Sequence, residues 1–179
     1  MKTSSYIHAI DQGTSSTKEI IFNPKGKLIT KVTVPIQSFY PEAGYVEQDP
    51  EEIYQSVLNA TKTCLQQLEE IYSGAIKAIV CCGISNQRET FVLWDKNGTP
   101  LHNAVVWQCK RSIEICNKLQ QLGLESEINK RTGLKIDPNF SGTKLIWLYE
   151  NDDKVRTAID TGKAYFGTID SWLLLYKIA

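Results

Sequence analysis

The sequence predicts an α/β fold built on a mixed β-sheet flanked by helices, and three features carry that expectation. Its first thirty-odd residues alternate short β-branched runs with turns, as an antiparallel meander does. Residues 50–72 then repeat apolar side chains at helical spacing and lead into a nearly continuous apolar run, Ala75 to Ile84. Beyond that run, short strands and helices alternate to the end.

Each element has its local reason. Tyr6–Ile10 and Glu19–Phe22 are apolar-rich runs of strand length, and Asn23-Pro-Lys-Gly26 turns the chain into a third strand over Leu28–Ile36. Ser38–Gln48 reads as a connecting loop. Asp49 caps a helix with Pro50 at its first position and Glu52 at its third, a capping-box-like arrangement. Ile53, Val57, Cys64, Leu68 and Ile71 form its core stripe. The run from Ala75 to Ile84 fits a strand buried on both faces.

After the polar cluster Ser85–Thr90, Phe91–Trp94 resumes a strand and Asp95-Lys-Asn-Gly98 turns it. Asn103–Trp107 is another short strand. Cys109, Ile113, Cys116 and Leu119 mark a helix ending near Gly123. Leu124–Arg131 is helical, Gly133–Phe140 irregular and Ser141–Glu150 helical again. A helix over Asp153–Asp160 stops at Gly162, Tyr165–Gly167 is extended, and Thr168 caps a last helix through Trp172 and Leu175.

Composition narrows the function classes. The 179 residues carry 20 Lys plus Arg against 20 Asp plus Glu, a formal net charge of 0, which gives no electrostatic footprint for nucleic acid or an anionic membrane. No apolar run reaches the ~18 residues of a membrane span, and Met1–Ser5 leads directly into a strand instead of a signal segment, so a cytoplasmic chain is expected. Five cysteines without a C-x-x-C pair read as reduced packing residues, the adjacent Cys81 and Cys82 included. The glycosylation-type triplets at Asn59, Asn97 and Asn139 are discounted for a cytosolic chain.

Two polar clusters at strand ends carry chemistry. Between the first two strands lie Asp11, Gly13 and the four hydroxyls Thr14 to Thr17, followed by Lys18. Gly13 admits close backbone approach, turn N–H groups and hydroxyls suit a phosphate, and Asp11 offers an oxygen to Mg²⁺ carried by phosphates. The same residues also fit an ordinary hairpin satisfying its own backbone. Arg88 and Glu89 set a five-donor fork beside a carboxylate, suited to vicinal hydroxyls, or else form a loop ion pair. Trp107 is either a core ring or a flat face for the carbons of a polyol.

Taken in order, Ala9-Ile-Asp-Gln-Gly-Thr-Ser-Ser16, Gly44-Tyr-Val-Glu-Gln-Asp-Pro-Glu-Glu-Ile53, Gly83-Ile-Ser-Asn-Gln-Arg-Glu-Thr90, Asn103-Ala-Val-Val-Trp-Gln-Cys-Lys-Arg111, Thr132 to Lys144 and Phe166-Gly-Thr-Ile-Asp-Ser-Trp-Leu173 resemble the glycerol kinases. These belong to the carbohydrate kinase family with the actin-like, ribonuclease-H-like ATPase fold. The resemblance spans nearly the whole chain. It implies ATP-dependent phosphorylation of glycerol with Mg²⁺. Thr14, Ser15 and Ser16 would line the nucleotide phosphates, Lys18 would replace an arginine that contacts ADP, and Asp11 would serve the metal. Arg88 and Glu89 would bind glycerol hydroxyls, Trp107 would pack on its carbons, and Asn139 would occupy the place of a glycerol-binding tyrosine. It further implies a homo-oligomer in the complete enzyme. Residues 1–179 would form the N-terminal domain, and the aspartate base and most of the adenine pocket would lie in a C-terminal domain absent from this chain.

Overall fold

The computed structural model describes residues 5–177, so the expectation drawn from Met1–Ser5 falls almost wholly outside them, and Leu175 is described only by its backbone. In chain order the elements are β1 (Tyr6–Gln12), β2 (Ser16–Phe22), β3 (Leu28–Pro35), β4 (Glu47–Gln48), α1 (Pro50–Ile71), β5 (Ile79–Asn86), β6 (Phe91–Trp94) and β7 (Ala104–Val105). They continue as α2 (Ile113–Gln121), α3 (Glu125–Thr132), α4 (Ser141–Asn151), α5 (Asp153–Asp160), β8 (Tyr165–Thr168) and α6 (Ile169–Lys177). Two compact units result. The first takes residues up to 37 and 49–87, the second 38–48 and 88–177.

The first unit holds a four-stranded sheet in the order β3-β2-β1-β5. β1 pairs antiparallel with β2 and parallel with β5, so the sheet is mixed as expected. Along β2 the pleat buries Thr17, Glu19 and Ile21 completely and leaves Ser16, Lys18, Ile20 and Phe22 partly exposed. The buried set meets α1: Thr17 Oγ1 lies 2.6 Å from Ser56 Oγ, Glu19 Oε1 accepts from Thr61 Oγ1 at 2.6 Å, and Ile21 packs with Cys64 and Leu68. His8 Nε2 adds a 2.7 Å contact to Glu19 Oε2.

Asp49 caps α1 by accepting from Glu51 N at 2.8 Å, with Pro50 at the first position. No capping box forms, because Glu52 Oε1 accepts from Gln37 N instead, at 3.0 Å. Ile53, Val57, Cys64 and Leu68 are buried as expected, whereas Ile71 at the helix end is exposed.

The apolar run 75–84 departs most from expectation. Its first four residues form a 3₁₀ turn after the left-handed Gly74 (φ 80°), and β5 pairs with β1 at one edge of the sheet. Val80, Cys81 and Cys82 are exposed; only Cys64, Cys109 and Cys116 are the buried packing cysteines.

The second unit has its own antiparallel sheet, β4-β7-β6-β8, so the expected single sheet is two. Part of the 38–48 loop is strand: Phe39 bridges Glu47, and β4 pairs with β7. Phe91, Leu93, Val105, Cys109, Leu148 and Val155 build its core, and Phe91 to Trp94 are buried on both faces. A buried ion pair crosses it, in which the Arg111 guanidinium donates to Glu47 and lies 4.6 Å from the Tyr45 ring centroid and 5.0 Å from that of Trp147.

Candidate functional site

In the first unit, the β1–β2 turn is tighter than the sequence implies. Gly13 N donates to Ser16 O at 3.0 Å, and a Cβ on Gly13 would stand 3.2 Å from that same oxygen, so the turn favours glycine there. The buried Gln12 braces it, donating from Nε2 to Gly13 O at 2.8 Å and accepting from Gln87 Nε2 at 3.2 Å. The hydroxyls then divide. Thr17 turns inward to Ser56, while Ser15 is exposed and Thr14 and Ser16 are half-buried.

Asp11 and Lys18 are register partners across β1 and β2, on the face away from α1. Their Oδ2 and Nζ are 3.6 Å apart, with the side chains 53% and 42% exposed, a pair worth at most ~1 kcal/mol and open to a ligand. No cluster of three His, Cys, Asp or Glu side chains suited to a metal occurs among the described residues. The donors present fit a Mg²⁺ held chiefly by phosphate oxygens and water, with Asp11 as a single protein ligand.

In the second unit, Arg88 is exposed and Glu89 half-buried, and no ion pair joins them. Glu89 has φ 63°, the only non-glycine residue at positive φ among the described residues. That backbone costs roughly 1–3 kcal/mol and is retained where surrounding contacts dictate it. The contacts come from the start of α4: Ser141 N and Oγ both donate to Glu89 Oε2, at 3.0 and 2.8 Å. A helix N-terminus is a favourable seat for a carboxylate. Oε1 accepts no hydrogen bond from the described residues.

Trp107 is not a core ring. It is 37% exposed, whereas Trp94 and Trp172 are 1% and 0% exposed, and its backbone N donates to Thr90 Oγ1 at 3.1 Å. Asn139 is half-buried in the segment before α4, its N donating to Asp137 Oδ1 at 2.8 Å. Lys144, on the first turns of α4, is wholly buried, and its Nζ donates to Pro138 O at 3.1 Å and Asn139 O at 2.6 Å. Burial pulls its pKa down to about 8. Ser141 and Lys144 were not among the expected site residues. The available signal was Lys144 standing four residues before the buried Leu148, on an otherwise inward-facing stripe.

Residues 6–177 match the FGGY family of carbohydrate kinases, N-terminal domain. The chain belongs to that family. Among curated FGGY relatives, glycerol kinase 1 of Thermotoga maritima is 45% identical over 170 residues, covering 94% of this chain and 34% of its own length. The glycerol kinase of Shewanella woodyi is 45% identical over 175 residues, covering 96% and 34%. The chain thus spans about a third of the length of these relatives. Among solved structures, Plasmodium falciparum glycerol kinase with ADP superposes with a TM-score of 0.88 at 31% identity, over 95% of this chain and 33% of that one. The gluconate kinase of Lactobacillus acidophilus, at 21% identity and a TM-score of 0.81 over 96% and 33%, supports the fold alone. The FGGY fold is therefore the actin-like α/β class expected from the motifs. Among the described residues no helix is long and apolar enough to cross a membrane.

Proposed function

We propose that this FGGY chain supplies the polyol-holding and phosphate-holding parts of an ATP-dependent glycerol kinase that forms sn-glycerol 3-phosphate. The single observation that carries the reading is Glu89. Its left-handed backbone and its two bonds from Ser141 to Oε2 leave Oε1 without a donor among the described residues, next in sequence to the exposed cation Arg88. A carboxylate that accepts and a guanidinium that donates satisfy both ends of a polyol hydroxyl. Trp107 offers an exposed apolar ring for the carbon chain, and Asn139 an amide in the same unit.

In the other unit, Thr14, Ser15 and Ser16 would donate to nucleotide phosphates and Lys18 would meet them as a point charge. Mg²⁺, with Asp11 on its inner or outer shell, would neutralise charge on the transferring phosphate. Phosphoryl transfer asks mainly for positioning and charge stabilisation, which hydroxyls, amides and cations provide. On this reading residues 1–179 are the N-terminal carbohydrate kinase domain of a cytoplasmic homo-oligomer. The aspartate base and most of the adenine pocket belong to a C-terminal part.

The test is formation of glycerol 3-phosphate from ATP by the product of the complete reading frame, against a panel of other polyols and sugars. Arg88→Ala should lower kcat/KM for glycerol by about 2–4 kcal/mol in a folded protein. Preference for another panel member, or an unchanged glycerol KM in Arg88→Ala, would overturn the assignment.

A further inference from the structure

Lys144 poses a physical question that packing does not answer. A leucine or methionine would bury the same carbons without the desolvation cost of an ammonium, yet the residue is a lysine with no solvent exposure. No ion pair compensates it among the described residues. Its two bonds go instead to consecutive main-chain carbonyls, those of Pro138 and Asn139, in the segment that runs into α4. One turn earlier, Ser141 opens the helix and holds Glu89 through both its N–H and its hydroxyl. Phe140, at the cap position, has no side-chain bond to offer, although its carbonyl accepts from Thr143 Oγ1 at 3.3 Å.

We propose that Lys144 is a positioning residue for polyol recognition. By clamping the Pro138 and Asn139 carbonyls it fixes Asn139 and the α4 N-terminus, and through Ser141 it orients Glu89 so that Oε1 faces a substrate hydroxyl. The inference rests on the reading of Glu89 and Asn139 as polyol-holding groups and extends it to two residues that touch no substrate. The ammonium is suited to this because three N–H donors on one compact centre can reach two neighbouring carbonyls at once. A neutral side chain would take that donor from two partly buried carbonyls, and the segment would shift to rehydrate them.

The experiment compares Lys144→Met, Ser141→Ala and the double variant with wild type, all in the product of the complete reading frame, by steady-state kinetics and thermal melting. Each folded single variant should raise the glycerol KM about tenfold, the loss of roughly one hydrogen bond, with kcat and the ATP KM within about threefold. The double variant should cost less than the product of the singles, because both act through Glu89. In ¹⁵N spectra of the same proteins, the Ser141 amide should move upfield in Lys144→Met, as its bond to the carboxylate weakens. If Lys144→Met does not fold, Lys144→Arg takes its place: the arginine restores donors to the carbonyls and should give a near-normal glycerol KM, whereas Ser141→Ala by itself should still raise it about tenfold. An unchanged glycerol KM in folded Lys144→Met or in Ser141→Ala, multiplicative effects, or a parallel loss of kcat and both KM values would overturn the proposal. Wild type that fails to phosphorylate glycerol overturns the kinase reading instead, and the Ser141 amide then decides the Lys144 clamp alone.

Discussion

Removing Arg111 tests how the second unit is held together. Its side chain is 1% exposed and that of Glu47 9%, so the pair has little solvent to screen it. Glu47 also accepts from Asn103 Nδ2 at 2.9 Å and has His102 Nε2 at 3.7 Å. Burial by itself would raise the Glu47 pKa; the hydrogen bonds from Arg111 and Asn103 and the nearby positive charge outweigh it and hold the carboxyl below its usual range. Arg111→Met keeps most of the carbon packing against Tyr45 and Trp147 but strands a buried carboxylate. The expected loss is about 3–5 kcal/mol. In urea melts with a slope of ~2 kcal/mol/M, the midpoint should fall by roughly 2 M. The pH dependence follows from the depressed folded pKa: the stabilisation is present above the ordinary carboxylate pKa and is lost as pH falls through the lower folded value. The gap between wild type and variant should therefore narrow on acidification, and Glu47→Leu/Arg111→Met should recover most of the loss. A penalty below about 1 kcal/mol, or a gap that does not narrow in acid, would refute the reasoning.

Glu89→Gly and Glu89→Ala both remove the carboxylate, so both should abolish glycerol binding by calorimetry. The glycine variant should be the more stable by about 1 kcal/mol, since only it relieves the left-handed backbone, and equal melts would show no strain there. Gly167→Ala should destabilise by roughly 1–3 kcal/mol in urea, because its Cβ would stand 2.6 Å from Ser171 Cβ and 2.8 Å from Trp94 Cη2. Lys18→Arg should retain or tighten ADP affinity and Lys18→Glu should weaken it; equal calorimetric affinities would make Lys18 a solvated strand residue.

The elements most legible in the sequence are those whose ends are set locally. Asp49-Pro50 fixes the start of α1, Gly26 and Gly98 close their turns at positive φ, and Gly133 stops α3 in the left-handed region. The run 75–84 misleads because apolar composition reports a capacity for burial, while the burial itself depends on neighbours far along the chain, and among the described residues β5 pairs with β1 alone. The candidate site shows the same division. Arg88, Glu89 and Trp107 stand out as polar or aromatic residues at strand ends. Ser141 looks like any helix-opening serine and Lys144 like a solvated lysine until the fold brings Ser141 to Glu89 and Lys144 to the carbonyls of Pro138 and Asn139. Glu47 and Arg111, 64 positions apart, carry no mutual signal at all.

The alternation along β2 sets a rule of parity for how this hairpin can change. Odd-numbered Thr17, Glu19 and Ile21 belong to α1, and even-numbered Ser16 and Lys18 to the opposite face. Substitutions at even positions can retune the partly exposed surface while the helix contacts stay as they are. Lengthening is a different matter. A single residue inserted within the strand would carry Lys18 toward Ser56 and expel Glu19 from His8, whereas two inserted residues would restore the facing. The strand is therefore free to vary in chemistry but confined in length to even steps, with one-residue changes tolerable only in the turn at 13–15.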